Sequence, residues 1–350
     1  MPLNMSDREN MERSAQTEIG TPIALTMGCP AGVGPEIICR MFGRADMPAR
    51  DRTVVVGDQA VLRQAADLLG LPLTIVPWQP GDAPVKGTVP VFQVGALPKP
   101  VCWGRPDGAT GQAMGRSIIE AVRLISEGHC RALVTCPISK KSLQAAGYPY
   151  PGHTEMLAAL TGTAKVRMMM AGPRLKVVLV TIHEPLRRVS GLLSAAEISD
   201  CIAMTRTALE RDFAIPAPRI AVAALNPHAG EGGLFGDEED RLIGPALAAH
   251  AARGDVSGPW PPDTVFYQAA AGRFDAVIAM YHDQGLIPFK LLHFHDGVNV
   301  TLGLPLVRTS VDHGTAYDIA GRNLADPSSL AAALALAETI VANRAEREPA

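Results

Sequence analysis

Short apolar runs alternate with amphipathic stretches along the chain from Thr21 onward. The runs Ile23 to Thr26, Thr53 to Val56 and Ala132 to Thr135 are rich in apolar and β-branched residues, which predicts buried strands. Residues 110–127 place apolar side chains three or four positions apart, the spacing of one face of a helix. Strands that alternate with helices in this way predict an α/β protein with a largely parallel sheet.

A second region begins near Tyr148 and contains three more strand candidates. They are the apolar runs Val177 to Ile182, Ile220 to Leu225 and Ala276 to Met280, and helical stretches separate them. The chain closes with an Ala/Leu-rich pattern from Ser328 to Asn343, which predicts a helix. The first 20 residues are polar and carry charges of both signs, so we expect a disordered tail there and not a signal peptide.

The composition narrows the class of protein. At 350 residues, with 47% hydrophobic and 19% charged positions, the chain is long enough for two packed globular domains. Its 32 basic and 35 acidic residues give a net charge of −3, and no dense stripe of Lys and Arg is present, which argues against nucleic-acid binding. Six scattered cysteines without a C-x-x-C pair favour a reducing cytoplasm over a disulfide framework. No run of about 18 apolar residues occurs, so no membrane span is predicted.

Three histidines occupy the same place relative to the strand candidates of the second region. His183, His228 and His282 each lie just past the end of one of these strands. Ligands of parallel sheets bind outside the carboxyl ends of the strands, so side chains at these positions can converge. Imidazole is the most common side-chain ligand of Zn²⁺ and similar ions, and three histidines leave coordination positions open. The pattern predicts a catalytic metal site, although each histidine taken alone is better explained as bonding a backbone carbonyl.

Two further groups of polar residues indicate an anion site. His153 and Thr154 start a predicted helix, where Thr154 can act as the cap and exposed N–H groups can bind an anion; a plain helix start explains them equally well. Lys290, Asn299 and Arg308 supply two cations and an amide within a span that contains glycines. Arginine binds phosphate or carboxylate through paired hydrogen bonds, and lysine adds a point charge. These residues predict an anionic substrate, with solvated surface charge as the alternative.

The segment MGCPAGVGP (27–35) follows a predicted strand and precedes a predicted helix. Its glycines permit a close backbone approach, but their spacing is not G-x-G-x-x-G, and no acidic residue stands where dinucleotide-binding sheets carry one. A tight loop explains the segment at least as well as a cofactor site.

Six long motifs follow one another over roughly residues 21 to 345. They are TMGCPAGVGPEI (26–37), PGHTE (151–155), VTIHEPL (180–186), NPHAGEGGLFGDEE (226–239), YHDQGLIPFK (281–290) and VNVTLGLPLVRTSVDHGTAYDIAG (298–321). Taken together, they resemble the 4-hydroxythreonine-4-phosphate dehydrogenase family of vitamin B6 synthesis. Motifs of this length, in this order and spacing, are highly specific for that family.

The resemblance implies an isocitrate/isopropylmalate-dehydrogenase-like α/β fold, with two domains and an active-site cleft between them. We expect one domain over residues 21–142 and 309–346, and a second over 143–308 that carries the metal ligands and the dimer interface. The implied partner is a second copy of the chain, because the family forms homodimers whose active site draws on both subunits.

By position, the resemblance assigns His183, His228 and His282 as ligands of a divalent metal, either Zn²⁺, Mg²⁺, Co²⁺ or Mn²⁺. It assigns contacts with the phosphorylated substrate to His153, Thr154, Lys290, Asn299 and Arg308. The implied reaction oxidises the 3-hydroxyl of 4-phosphooxy-L-threonine with NAD⁺, NADP⁺ being the alternative cofactor, and the β-keto acid then loses CO₂ to give 3-amino-2-oxopropyl phosphate. No proton acceptor is assigned; Asp263 and Asp283 are candidates, each better explained as structural.

Two positions depart from the family pattern. Cys29 stands where the first motif usually has an acidic residue, which leaves the substrate open, and Asn323 replaces an expected glycine. The wider family includes enzymes for 4-phospho-D-threonate, for 4-phospho-D-erythronate and for a cis-dihydrodiol of terephthalate. Lys290, Asn299 and Arg308 favour a phosphorylated compound over the diol. Outside the enzymes, the alternative is a non-catalytic metal- or phosphate-binding protein.

Overall fold

The computed structural model describes residues 21 to 347 of an α/β chain and divides it into two compact units. The first unit comprises the described chain up to Thr161, Leu306–Arg308 and His313–Glu338, and the second comprises Gly162–Pro305, Thr309–Asp312 and the chain from Thr339. The first unit extends beyond the 142/143 boundary expected from the sequence and includes the segment that bears His153. The expected tail at residues 1–20 lies outside the described residues.

The first unit is built on parallel strands. Its strands are β1 (Ile23–Thr26), β2 (Thr53–Gly57), β3 (Thr74–Pro77), β4 (Thr88–Gln93) and β5 (Ala132–Thr135), and its helices are α1 (Gly34–Phe42), α2 (Gln59–Leu69), α3 (Gly108–Ser126), α4 (Lys140–Ala145) and α5 (His153–Leu160). The strands lie side by side in the order β3-β4-β2-β1-β5, and each neighbouring pair is parallel. Every residue of β1, β2 and β5 is buried, as expected of strands covered on both faces. The predicted strands and the predicted helix at 110–127 are confirmed.

A capping box defines the start of helix α3. The Asp107 carboxylate accepts the Thr110 N–H at 2.9 Å, and the Thr110 hydroxyl accepts the Asp107 N–H at 2.8 Å. One turn further on, a Cβ at Gly111 would lie only 2.5 Å from the Ser142 carbonyl oxygen. Glycine at this position therefore allows α3 and α4 to pack closely, just ahead of the segment that leads to His153.

The second unit contains a mixed sheet. Its strands are β6 (Arg167–Ala171), β7 (Lys176–Leu179), β8 (Ile220–Ala223), β9 (Val256–Trp260), β10 (Ala276–Ala279) and β11 (Val298–Leu302), and its helices are α6 (Leu186–Leu192), α7 (Ala195–Arg211), α8 (Gly244–Ala248), α9 (Pro262–Ala270) and α10 (His282–Leu292). Strand β12 (Val307–Val311) and the last helix, α11 (Ser328–Ala345), contribute residues to both units. Residues of β7 and β10 form the buried core together with Phe289 of α10.

The order of strands in the second unit is β11-β6-β7-β10-β8-β9. Strands β7, β10, β8 and β9 are parallel, but β6 is antiparallel to both of its neighbours, and β12 is antiparallel to β11. Most neighbouring strands of the chain are parallel, so the prediction of a largely parallel sheet is confirmed. The short connections 172–175 and 303–306 explain the antiparallel β6–β7 and β11–β12 pairs, because a parallel pair needs a crossover of a dozen or more residues.

The six cysteines all lie among the described residues as free thiols. Five are buried, and Cys102 is exposed. Burial raises the pKa of the Cys39, Cys130 and Cys201 thiols to about 12. None of the helices within residues 21–347 combines the length and the apolar character that crossing a bilayer requires.

Candidate active site

Three neighbouring parallel strands carry the histidines predicted to bind metal. In the order β7-β10-β8, His183 follows the first strand, His282 the second and His228 the third. Strands β7 and β8 end at Leu179 and Ala223, a few residues before the ends that the apolar runs predicted. All three histidines lie at the carboxyl edge of the sheet, where parallel sheets bind ligands.

His183 and His282 are neighbours within one chain. Their ring centroids are 5.5 Å apart. His282 is the first residue of helix α10, and its Nδ1 atom lies 2.7 Å from a carboxylate oxygen of Asp283. The carboxylate accepts the Nδ1 proton, so the lone pair of His282 is on Nε2 and can bind a metal.

His228 lies in a segment of unusual backbone conformation. Five successive residues, from His228 to Gly232, have φ angles between 45° and 80°. Three of them, His228, Ala229 and Glu231, are not glycine, and each left-handed residue of this kind costs about 1–3 kcal/mol. The His228 ring centroid lies 6.2 Å from that of Phe235. Contacts elsewhere in the loop must hold this conformation.

Within residues 21–347 of a single chain, no group of three His, Cys, Asp or Glu side chains forms an arrangement that could hold a metal ion. His183 and His282 come together, whereas His228 belongs to a separate loop. The assignment of three ligands to one metal stays a prediction.

His153 and Arg308 are two polar residues of the first unit that influence each other electrostatically. Part of His153 is accessible, but its Nε2 atom is buried and has no hydrogen-bond partner among the described residues. Burial, then the charges of Arg308 and Lys140, hold the pKa of His153 well below its usual value. The ring is therefore neutral near pH 7.

Arg308 is 3% exposed and donates from Nη2 to the Thr135 hydroxyl at 2.8 Å. Burial lowers the pKa of Arg308 to about 10, so the guanidinium remains charged at neutral pH. Thr135 is the last residue of β5, which places this cation at the carboxyl edge of the first sheet. Such a charge, away from water, suits a phosphate or carboxylate group.

The other three residues predicted to contact the substrate, Thr154, Lys290 and Asn299, lie in a helix of the first unit and in a helix and a strand of the second. Helix α5 starts at His153 and its N-cap is Gly152, so the prediction that Thr154 caps the helix is wrong. Lys290 forms an ion pair with Asp312 at 3.3 Å in the second unit. Asn299 lies in β11, opposite Ser310 of β12.

Both candidate proton acceptors line one groove of the second unit. The groove has a volume of about 700 Å³ and lies between helices α9 and α10. Asp263 is exposed in the first turn of α9, and Asp283 bonds His282. This bond allows Asp283 to orient the His282 imidazole, a structural role of the kind that the sequence favoured over that of a proton acceptor.

The loop at 27–35 is held by backbone packing. A Cβ at Gly28 would lie 2.4 Å from the Pro137 carbonyl oxygen, and one at Gly32 would lie 2.9 Å from the Thr315 carbonyl oxygen. The sequence reasoning missed Tyr317, whose hydroxyl donates to the buried Cys29 sulfur at 3.3 Å. Its only signal was its place in the sixth motif. Burial and the Cys29 thiol raise the pKa of Tyr317 to about 12.

Known proteins resemble this chain over most of its length. Residues 49–337 match the family described as pyridoxal phosphate biosynthetic protein PdxA. A 4-hydroxythreonine-4-phosphate dehydrogenase from Desulfosudis oleivorans is 54% identical over 90% of this chain and 94% of its own. A D-threonate 4-phosphate dehydrogenase from Cupriavidus necator is 44% identical over 92% and 98%. The crystal structure of the 4-hydroxythreonine-4-phosphate dehydrogenase from Klebsiella pneumoniae is 43% identical, with a TM-score of 0.84, over 92% of this chain and 99% of its own.

The α/β fold, the histidines at one sheet edge and these relatives define the chain as a dehydrogenase. Within that class, it belongs to the PdxA family.

Proposed function

We propose that the chain oxidises 4-phosphooxy-L-threonine at its 3-hydroxyl with NAD⁺ and releases 3-amino-2-oxopropyl phosphate, CO₂ and NADH, a step of pyridoxal 5'-phosphate synthesis. The observation that carries the proposal is the carboxyl edge of the second unit. There His183, His282 and His228 follow adjacent strands, in a chain 54% identical to a 4-hydroxythreonine-4-phosphate dehydrogenase.

The residues at this edge fit a divalent metal such as Zn²⁺, Mg²⁺, Co²⁺ or Mn²⁺. Imidazole nitrogen suits these ions, and the bond from Asp283 leaves the Nε2 atom of His282 available as a ligand. A bound metal supplies Lewis-acid chemistry, which favours loss of the proton from the substrate alcohol and stabilises the negative charge that develops on decarboxylation. A bound nicotinamide cofactor would supply the hydride acceptor.

The position proposed for the cofactor is the carboxyl edge of the sheet in the first unit. The loop at 27–35 joins the end of β1 to helix α1, and dinucleotides bind parallel sheets at such positions. NAD⁺ is the proposed cofactor and NADP⁺ the alternative.

The chain's own residues position the substrate. Arg308, oriented by Thr135, holds a phosphate or carboxylate group, and the buried Nε2 of His153 bonds an oxygen beside it. Lys290 adds a second positive charge, which Asp312 orients. Thr154 and Asn299 supply neutral hydrogen-bonding groups. Fixing the anionic ends of a small substrate presents C3 in one orientation, and positioning of this kind can lower the barrier by several kcal/mol.

Exposed apolar side chains near the three histidines support a homodimer in which two subunits share the metal site. Each histidine is followed by an exposed large apolar side chain: Leu186 is 69% exposed, Leu234 73% and Ile287 67%. Leu291 and Tyr267 extend this surface across helices α9 and α10, at 85% and 79%. Apolar residues clustered on a surface typically mark an interface. In this arrangement His183 and His282 of one copy bind the metal together with His228 of the partner subunit.

One observation supports a second substrate. Cys29 is a buried thiol at the position where the family resemblance implies a carboxylate, and burial raises its pKa, so it is neutral. A neutral residue cannot form an ion pair with the ammonium group of an amino acid. The corresponding substrate without that group is 4-phospho-D-threonate, named for the relative from Cupriavidus necator.

All six cysteines are free thiols, which supports a reducing, cytoplasmic location.

The experiment that tests the proposal measures NADH absorbance with the purified protein. Each divalent metal is supplied in turn with 4-phosphooxy-L-threonine or 4-phospho-D-threonate, and with NAD⁺ or NADP⁺. We expect the larger kcat/KM with 4-phosphooxy-L-threonine and NAD⁺. A larger kcat/KM with 4-phospho-D-threonate would establish the second substrate instead, and no NADH under any condition would exclude both.

A further inference from the structure

A buried carboxylate closes the loop that bears His228. Glu239 is 4% exposed and begins the π-helical turn Glu239–Ile243. Its Oε1 atom accepts the backbone N–H of Leu225 at 2.9 Å and that of Asn226 at 2.8 Å. Its Oε2 atom accepts the Asn226 side-chain amide at 3.0 Å. The Glu239 carboxylate therefore accepts two bonds from the backbone just after β8 and one from the Asn226 side chain, which also donates to Glu238 Oε2 at 2.8 Å.

Two glycines allow the rest of the loop to pack closely, Gly230 against the Glu239 carboxylate and Gly236 against the side chains of Asn226 and Glu238. A Cβ at Gly230 would lie 2.8 Å from Glu239 Oε2, and a Cβ at Gly236 would lie 2.5 Å from the side-chain nitrogen of Asn226. Both glycines have positive φ angles, 80° and 140°. Any side chain at either position would force the loop away from Glu239 and Asn226.

The left-handed run around His228 requires such support. Its non-glycine residues are held in a conformation that L-amino acids seldom adopt, so the segment would relax if its ends were released. Hydrogen bonds to an ionised carboxylate are about twice as strong as bonds between neutral groups, and burial shields them from water.

We propose that Glu239 is a positioning residue that holds His228 in the conformation from which it binds the metal. The inference rests on the proposed function, in which His228 is a ligand. Glu239 acts on the metal only through the loop, because its two carboxylate oxygens bond Leu225 and Asn226.

Two variants and a matched control test this role. Glu239→Gln keeps one oxygen acceptor but presents an NH₂ group to the NH₂ group of Asn226, and Glu239→Ala removes all three bonds. Asp240→Asn removes the same charge from the next residue, which is exposed. His228→Ala reports whether the imidazole is a ligand at all.

The first measurement is hydrogen–deuterium exchange of the metal-free protein over residues 224–236. We expect exchange to be at least about tenfold faster in Glu239→Gln, faster still in Glu239→Ala and unchanged in Asp240→Asn. The second measurement is the affinity for Co²⁺ of the folded protein, with its absorption spectrum. We expect about tenfold weaker binding in Glu239→Gln and an unchanged affinity in Asp240→Asn.

Three results separate this inference from the proposed function. Unchanged exchange in Glu239→Ala would overturn it directly. Faster exchange with unchanged Co²⁺ affinity, while His228→Ala loses Co²⁺, would also overturn it, because His228 would then be a ligand that needs no help from Glu239. An unchanged Co²⁺ affinity in His228→Ala would refute the metal assignment itself, and with it the role of Glu239.

Discussion

His282 and Asp283 form a hydrogen-bonded pair in which the imidazole Nδ1 and the carboxylate Oδ1 are 2.7 Å apart. The same pairing recurs between His293 and Asp296, at 3.1 Å, but His293 is buried and faces Gly172. The chain therefore contains one carboxylate–imidazole pair at the proposed metal site and another inside the second unit.

Replacing Asp283 by Asn should weaken metal binding by about 10- to 100-fold, because an amide makes the imidazole a poorer electron donor and holds its tautomer less firmly. Calorimetric titration with Zn²⁺ or Co²⁺ measures the affinity. Asp296→Asn is the control and should leave it unchanged. Equal affinities in both variants would show that Asp283 does not support a ligand.

Mixing inactive subunits tests whether the metal site is shared. Coexpressed His183→Ala and His228→Ala chains should regain about a quarter of the wild-type activity. Half of the randomly formed dimers are mixed, and each mixed dimer has one site with all three histidines. Coexpressed His183→Ala and His282→Ala chains should stay inactive. His183 and His282 of a site come from the same chain, so every metal site in every dimer then lacks one of these two histidines. Inactivity of both mixtures would place all three histidines in one subunit.

Replacing Arg308 by Lys should lower kcat/KM for the phosphorylated substrate by about 10- to 100-fold. Lysine keeps the charge but loses the paired donors and the orientation that Thr135 provides. Steady-state kinetics measure the loss. Arg63→Lys, on the exposed face of helix α2, provides the comparison and should behave as the wild type. An unaltered kcat/KM in Arg308→Lys would place this residue outside the pocket.

The low pKa of His153 predicts a loss of stability in acid. Below the unfolded-state pKa of 6.5, the unfolded chain binds a proton that the buried ring does not, so the free energy of unfolding falls by up to about 1.4 kcal/mol for each pH unit. Denaturant unfolding at pH 7 and pH 5 should show that the free energy of unfolding falls less in His153→Asn than in the wild type. His129→Asn, which replaces a histidine with a 37% exposed side chain, is the matched control.

The apolar surface on helices α9 and α10 predicts the position of the dimer interface. Leu291→Lys should shift sedimentation toward the monomer, because a charge at the centre of an interface costs several kcal/mol when its partner surface is apolar. Val85→Lys, at a site 61% exposed in the first unit, should sediment as the wild type. A dimer of unchanged stability in Leu291→Lys would move the interface elsewhere.

Strands β1, β2 and β5 could be predicted because each is an uninterrupted run of apolar and β-branched residues, whereas β3 and β4, which contain prolines and exposed residues, were not predicted. Ile23–Thr26 and Ala132–Thr135 have the predicted bounds, and the helix predicted at 110–127 from its spacing spans Gly108–Ser126. The antiparallel strands β6, β11 and β12 escaped prediction because their pairing depends on short connections, and hydrophobic patterns do not encode strand direction.

The candidate site was predictable as far as the position of each histidine along the chain. The left-handed run at His228 was not, since Ala229 and Glu231 have no preference for that conformation, and it depends on Glu239 and Glu238, which come later in the chain and bind Asn226 at the start of the loop. The neutral state of His153 was likewise hidden, because it depends on burial and on the charge of Arg308. Properties created by distant neighbours require the folded structure.

Because only one of its six cysteine thiols is exposed, the protein can be labelled with a fluorophore at a single site. Cys102 is the exposed member of the six, and the pKa of each of the other five is raised, so a maleimide at neutral pH reacts with Cys102 first. One fluorophore per chain can be attached without removing a native cysteine. Energy transfer between donor- and acceptor-labelled chains would then follow assembly in real time.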